Sequence, residues 1–313
     1  MSKRSSSKES GDYRLKSRDR KSRRTPSKTD KEPTASAAWI TTYQPSRHEA
    51  SWLASSLGLF QEMGLITDVL FFIQGGKEAS VYCCATPTGE LLAAKVYRPR
   101  KFRQLRNDKL YRLGRETLVE GGASVKKTEH RIMRAINKRT AFGEQIRHTS
   151  WLMHEYTTLE RLVEAGAAVP KPHASSDNAI LMDYIGDTEL AAPPLTRLEL
   201  SAEEAPGILA VIVKNIEIML SIGMVHGDLS AYNILYDHGV VTIIDFPQVT
   251  EVGVNPFVRD LFWRDVTRVC EYFAALGVPC DADALATEIW DRHVVTVEED
   301  VPDDDPGEEE HMW

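Results

Sequence analysis

The run His226-Gly-Asp-Leu-Ser-Ala-Tyr-Asn233 and the later Asp245 hold the side chains best suited to chemistry. Asp228 and Asn233 stand five apart, and Asp245 follows twelve residues after Asn233, directly behind the apolar stretch 240–244. Phosphoryl transfer asks little more of a protein than this set provides. It needs a cation for the phosphates, carboxylate and amide oxygens for Mg²⁺, and a carboxylate to orient the attacking hydroxyl. Lys95 supplies the cation. It ends the apolar run Leu91-Leu-Ala-Ala, where an unpaired ammonium is costly to bury, and Glu155 on the following helix is the carboxylate that pairs with it. Each residue alone has a plainer reading, since Asp and Asn are common in turns and a strand-end lysine can face solvent. The ordered set H-x-D-x₄-N, apolar strand, Asp is far more specific than its members. His226 reads as a residue that packs and hydrogen-bonds to hold the loop, because Asp228 already takes the role of base. Asp265 reads either as a cap for backbone amides of that loop or as a surface acid.

The elements that position these residues follow from hydrophobic periodicity. An amphipathic helix is expected over 49–63 from Trp52, Leu53, Leu57, Phe60 and Met63. An antiparallel meander comes next: strands at 69–73, 81–85 and 91–97, joined by the glycine turn Gln74-Gly-Gly-Lys-Glu-Ala-Ser80 and the turn Thr86-Pro-Thr-Gly89. A helix is expected over 151–164 and a strand over 179–185. Ser201-Ala-Glu-Glu204 has the form of a capping box and predicts a helix from there to Gly223. Two short strands, 233–236 and 240–244, flank the turn Asp237-His-Gly239. Asn255-Pro256 predicts a helix with Pro at its first position, and a last helix covers 283–292. A strand-rich front half and a helix-rich back half predict an α+β chain of two lobes with a cleft between them. The lobes are expected at about 65–185 and 186–296, within a domain spanning 49–296.

Composition sets the frame. The 313 residues are 42% apolar and 27% charged, values of a soluble globular protein with room for a sizeable core. There is no run of about 18 apolar residues for a membrane span, and no apolar segment follows the basic start to make a secretory signal. Cys83, Cys84, Cys270 and Cys280 show neither metal-ligand spacing nor a disulfide framework, which predicts reduced thiols and a cytoplasmic protein. Cys83 and Cys84 are adjacent on an expected strand and so point to opposite faces. The net charge of −8 hides an asymmetry. Residues 1–36 are rich in Lys, Arg and Ser and are expected to be disordered. They read equally as an RNA contact or as a solubilising tail. Residues 297–313 are expected to form an acidic, solvated tail.

Gly75-Gly-Lys-Glu-Ala79, Lys95-Val-Tyr-Arg98, Trp151-x₃-Glu155, Met182-x-Tyr-Ile-Gly186, His226-Gly-Asp-Leu-Ser230 and Ile243-Ile-Asp-Phe-Pro-Gln248 together resemble the RIO family of atypical protein kinases. The likeness covers roughly 57–277, with the motifs in the family's order. The resemblance implies a protein-kinase-like fold that uses ATP and Mg²⁺. By it Asp228 is the catalytic Asp, Asn233 and Asp245 hold Mg²⁺, and Lys95 contacts the α/β-phosphates while pairing with Glu155. The adenine lies against backbone groups from Asp183 to Ile185. The resemblance also implies a role in ribosomal small-subunit maturation, ATP hydrolysis as a main activity, and transient phosphorylation of Asp245.

Departures from ordinary protein kinases narrow the style of the chemistry. The nucleotide loop is not G-x-G-x-x-G, so Lys77 and Ser80 are expected to help Gly75 and Gly76 bind phosphate, although Gly75-Gly76 also suits a plain hairpin turn. Gly227 stands where ordinary kinases carry an Arg, and Ser230 where they carry a Lys. Phe246-Pro-Gln248 runs almost directly into Asn255-Pro256, which leaves no room for a long activation loop. Residues 98–148 match the place of the family's insertion and read as an RNA or partner contact or as solvated chain. Only one amphipathic helix precedes the glycine turn, which favours the subfamily without a winged-helix domain, or a bacterial-type member. The Asp-Phe-Pro-Gln ending occurs in the winged-helix branch. Four readings stand side by side: a serine/threonine kinase or autokinase, an ATPase switch on pre-ribosomal particles, a small-molecule kinase of the aminoglycoside or choline type, and a nucleotide-binding scaffold.

Overall fold

The computed structural model describes residues 39–76, 78–98, 115–119, 121–125, 129–138 and 140–294. The expected basic and acidic tails, Lys77, and residues 99–114 of the insertion lie outside them. The fold below belongs to one compact unit that begins at Ile40.

Five strands form the front sheet: β1 (Asp68–Gly75), β2 (Ala79–Ala85), β3 (Leu91–Tyr97), β4 (Pro172–Ser175) and β5 (Ala179–Asp183). Their order is β1-β2-β3-β5-β4, with every neighbouring pair antiparallel. Helix α1 (Arg47–Glu62) covers the outer face. There Tyr82 sits among Tyr43, Trp52 and Phe72, and its hydroxyl bonds Glu49 of α1. Cys83 and Cys84 point to opposite faces as expected, and both are fully buried because the sheet is covered on each side.

Helix α2 (His130–Asn137) leads into the long α3 (Ala141–Glu164). The latter starts ten residues before the expected 151. Thr140 Oγ1 accepts from the Gly143 amide at 3.1 Å and caps it. At Gly143 a Cβ would lie 2.1 Å from the Ala135 carbonyl, so only glycine lets α2 and α3 come this close.

The back half holds α4 (Ala205–Ser221), the short β6 (Met224–Val225), the hairpin β7 (Ile234–Asp237) and β8 (Val240–Ile243), β9 (Thr250–Glu251), α5 (Val258–Ala275) and α6 (Ala282–His293). Ile212, Ile216, Phe262, Val266 and Phe273 are almost wholly buried at its centre. Two helix starts differ from expectation. Ser201 and Glu204 bond each other in a turn ahead of α4 (Glu204 N to Ser201 Oγ, 3.2 Å), and the helix begins where Pro206 fits its first turn. Asn255 Oδ1 accepts from Phe257 N at 2.9 Å, forming a turn that puts Pro256 ahead of α5 rather than at its first position.

The expectation of reduced thiols is also corrected. Cys270 and Cys280 are disulfide-bonded. The turn at Gly277 ends α5 and brings the two Cα atoms to 5.2 Å, a distance a bridge needs and one that a ten-residue spacing does not reveal. Cys83 and Cys84 are free and buried. Titration of the unreduced, denatured chain should therefore find two thiols, not four. Chain entropy for so short a loop gives the bridge about 3 kcal/mol, so reductant should lower the thermal midpoint. A Cys270→Ser/Cys280→Ser variant should start from that lower midpoint and ignore reductant.

Candidate active site

Alternation along the sheet decides what faces the space between the halves. Val81 pairs with Lys95 and Ala79 with Tyr97, so Ala79, Val81, Ala93, Lys95 and Tyr97 share the inner face. Helix α3 lies beneath them and buries Trp151, Glu155, Leu159 and Leu162 on one stripe. The Trp151 ring meets Tyr97 edge-on at 4.6 Å.

Lys95 Nζ lies 2.5 Å from Glu155 Oε1 and 2.6 Å from Asp245 Oδ1. The second Glu155 oxygen accepts from the Tyr97 hydroxyl. The lysine side chain is 12% exposed and the glutamate 2%. Burial alone would lower the Lys95 pKa, but Asp245 and Glu155 reverse this and hold it above its ordinary value. Burial would likewise raise the Asp245 pKa, yet Lys95, by charge and hydrogen bond, holds it below the usual carboxylate range. Both groups are charged across the physiological pH range.

The loop that carries Asp228 runs from β6 to β7. Gly227 has φ +80° and its amide donates to Asp265 Oδ2 at 2.7 Å, while its carbonyl accepts from Arg264. A Cβ here would stand 2.4 Å from the Gln248 carbonyl, so the loop can lie against the 246–248 segment only with glycine at this position. Buried His226 takes the Asp228 amide on Nδ1 at 3.2 Å, which leaves Nε2 to donate to the Ile244 carbonyl at 3.1 Å. Burial lowers its pKa, and it holds the loop as expected of a positioning residue. Asp265 is the amide cap rather than the surface acid. Burial raises its pKa to about 7 against the opposing pull of Arg264, the Gly227 amide and Arg268.

Asn233 Nδ2 donates to the Asp228 carbonyl at 2.9 Å, and the Asn233 carbonyl receives the Ile244 amide at 2.9 Å. The bond to the Asp228 carbonyl fixes which end of the side-chain amide is the nitrogen and leaves Oδ1 as the end that can meet a cation. Asp245 follows β8 with φ +72° and a 45% exposed side chain. Asn233 and Asp245 together fit Mg²⁺, a hard cation that takes few protein oxygens and completes its shell with phosphate and water. No cluster of three His, Cys, Asp or Glu residues suited to a metal occurs among the described residues.

A cleft of about 330 Å³ joins these groups; Gly76, Lys95, Glu155, Asp183, Ile185, Asn233 and Asp245 all line it. Asp183 turns its carboxylate away toward β4, accepting from His173 Nε2 at 2.7 Å and Lys171 N at 3.2 Å. Its contribution to the cleft wall is therefore backbone. The Ile185 carbonyl is engaged by Ala192 N at 2.9 Å. Gly75 and Gly76 form the β1–β2 hairpin, with Gly76 N on the Ala79 carbonyl at 2.8 Å. Ser80, expected to help bind phosphate, stands on the opposite face of β2 from Ala79 and Val81, and Arg98 Nη2 reaches its hydroxyl at 3.4 Å. Lys77 lies outside the described residues. Asp228 borders an adjoining cleft of about 710 Å³ that shares Tyr232 and Asn233 with the first.

Three arginines belong to the site and escaped sequence reasoning. Arg268 Nη1 lies 2.8 Å from Asp228 Oδ1, and Arg264 holds the Gly227 carbonyl. Arg115, from the insertion, donates to the Pro247 carbonyl at 3.1 Å and to that of Val249. Arg264 and Arg268 stand one before and three after Asp265 on α5, a spacing that puts Arg268 on its helical face and was readable as a signal.

A model of the RIO domain matches residues 80–285. Serine/threonine-protein kinase rio1 of Schizosaccharomyces pombe is 29% identical over 219 residues, which is 69% of this chain but 40% of that protein. RIO-type serine/threonine-protein kinase Rio1 of Haloferax volcanii is 29% identical over 215 residues, covering 68% of this chain and 66% of the relative. The chain thus spans under half to two thirds of the length of these relatives. Among solved structures, the Rio2 kinase–ADP/Mg²⁺–phosphoaspartate complex from Chaetomium thermophilum matches with a TM-score of 0.51 at 19% identity, over 80% of this chain and 72% of that one. That likeness shows a shared protein-kinase-like fold.

The Asp265 environment has a measurable consequence. Its folded pKa near 7 exceeds the ordinary 3.8, so the folded chain binds the extra proton between about pH 4 and pH 7. This group's contribution to stability therefore falls as pH rises through that window. Asp265→Asn keeps an acceptor for the Gly227 amide and should flatten that part of the stability–pH curve. Urea denaturation at pH 5 and pH 8 reads the difference.

Proposed function

The chain belongs to the RIO domain family, and on that premise we propose that it is an ATP- and Mg²⁺-dependent phosphotransferase acting on serine or threonine hydroxyls of proteins. The carrying observation is Lys95 Nζ held between Glu155 and Asp245 at 2.5 and 2.6 Å. A cation so placed has one permanent carboxylate to aim it and a second, exposed one that nucleotide phosphates can replace. The named relatives are protein kinases, and the Chaetomium Rio2 structure contains ADP and Mg²⁺.

In this reading the adenine lies against the backbone of 183–185 and the hairpin at Gly75-Gly76 covers the phosphates. Lys95 holds the α- and β-phosphates, while Asn233 and Asp245 are the residues that would hold Mg²⁺. The metal supplies neutralisation of charge on the phosphate oxygens when bound. Asp228 accepts the proton of the acceptor hydroxyl as its oxygen bonds the γ-phosphorus. The bond from that phosphorus to the β–γ bridging oxygen breaks, and ADP leaves with the electron pair. Asp265, His226 and Gly227 hold the loop so that Asp228 and Asn233 keep their spacing. With water in the acceptor's place the same steps hydrolyse ATP.

No helix of the described residues is long and apolar enough to cross a membrane. We assign the protein to the cytoplasm, where ATP is supplied; the disulfide removes the thiol argument for that location. The basic residues 1–36 are proposed to contact RNA of a pre-ribosomal particle, by neutralising phosphates with Lys and Arg.

Asp228→Ala should lower phosphoryl transfer by about 10²-fold or more while ATP still binds. Asp245→Ala should lose the Mg²⁺-dependent part of ATP binding in a calorimetric titration. Wild-type turnover in the Asp228 variant would sink the assignment. Deleting residues 1–36 should weaken RNA retention and flatten its salt dependence, and an unchanged salt slope would leave the arm without that role.

A further inference from the structure

The cleft beyond Asp228 is lined mostly by residues that the nucleotide reading does not use, yet it touches the residue that must meet the acceptor. Tyr232 and Asn233 line both clefts, with Tyr232 73% exposed, and Asp228 and Arg268 line the second. Both Asp228 oxygens are engaged: Oδ1 by Arg268 Nη1 at 2.8 Å in the second cleft, and Oδ2 at 3.4 Å by Nε2 of Gln248, which lines the first. A hydroxyl that is to give up its proton has to approach a carboxylate which a guanidinium already holds.

We propose that this second cleft is the acceptor subsite, and that Arg268 makes it select serine or threonine hydroxyls flanked by acidic residues. The inference rests on the phosphotransferase reading above and names the acceptor class for it. A guanidinium carries five N–H donors in a planar fork, and its bond to Asp228 uses one edge. Arg268 is 40% exposed, so its remaining donors are within reach of an arriving chain. A carboxylate beside the acceptor hydroxyl meets that fork and draws Arg268 away from Asp228, at the place where the hydroxyl needs the oxygen. A lysine or arginine in the same place is repelled. Glu271, exposed three residues further along α5, also lines the cleft. It disfavours acids that meet it, so the preference belongs to positions that meet Arg268. If Arg268 served only to hold the Asp228 side chain, its loss would slow all acceptors alike.

The test uses the full chain with ATP, Mg²⁺ and two serine peptides that differ only in having Glu or Lys on both sides of the serine. A charge-assisted hydrogen bond predicts about a tenfold higher kcat/KM for the Glu peptide. Arg268→Gln should abolish that preference and Arg268→Glu should reverse it; should the second variant not fold, the first carries the comparison. Equal rates of the two peptides on the wild-type chain, or a preference that survives both substitutions, overturns the proposal. Fluorescence anisotropy of the same labelled peptides on the nucleotide-free chain separates this from the parent reading. Glu-selective, Arg268-dependent binding without transfer would refute the phosphotransferase and leave the subsite. Transfer without selectivity would do the reverse.

Discussion

Lys95 carries its charge into a cleft where only 12% of its side chain meets water, and such a charge persists only beside carboxylates. Desolvation costs several kcal/mol for each ion, so Glu155 and Asp245 must both be held close. Their distances from Nζ are short, and Tyr97 takes the second Glu155 oxygen. This one cluster ties β3 of the front sheet to α3 and to the segment behind β8. Removing Lys95 leaves Glu155, 2% exposed, as a buried charge without a cation, which is more damaging than never having had the pair. The arrangement explains why α3 passes directly under the sheet, and why Asp245 accepts a left-handed backbone to point back at the lysine.

A second polar cluster supports the catalytic loop from the other side. Helix α5 offers Asp265 to the Gly227 amide, Arg264 to its carbonyl and Arg268 to Asp228. The contact is close enough that Gly227 tolerates no side chain. An ordinary kinase places an arginine at that position to read a phosphorylated loop. Here the space is filled by the 246–248 segment itself, and Arg115 from the insertion holds the far side of that segment. Packing and hydrogen bonds thus hold the loop in this arrangement.

The chemistry-bearing residues were legible because their spacing carries the fold with it. The stretch 91–97 is apolar but for Lys95 and follows a turn, so its strand was legible, while the inward lysine needed the motif as a whole, since alone it could have faced solvent. Asp265 as an amide cap was one of two open readings, and the hydrogen bond to Gly227 decides it. Other features depend on contacts between distant segments. The first ten residues of α3 follow a highly charged segment and contain Gly143, a poor helix former whose use is visible only against Ala135. Ser80 was placed with the phosphates by nearness to the glycine turn. Two-residue alternation from Val81, opposite Lys95, would have put it on the other face. The Cys270–Cys280 bridge required knowing that the chain doubles back at Gly277. Arg268 lay three residues after Asp265, a spacing that deserved to be read as one helical face.

The central claim is that Lys95 and Glu155 act as one unit in holding nucleotide. A double-mutant cycle on ATP affinity, with Lys95→Met, Glu155→Gln and the pair, measures it most directly. The account predicts that each single change loses most of the Mg²⁺·ATP affinity and that the double variant is scarcely worse, giving a coupling of about 1 kcal/mol or more. Losses that simply add, or a Glu155→Gln variant that binds ATP as the wild type does, would contradict it.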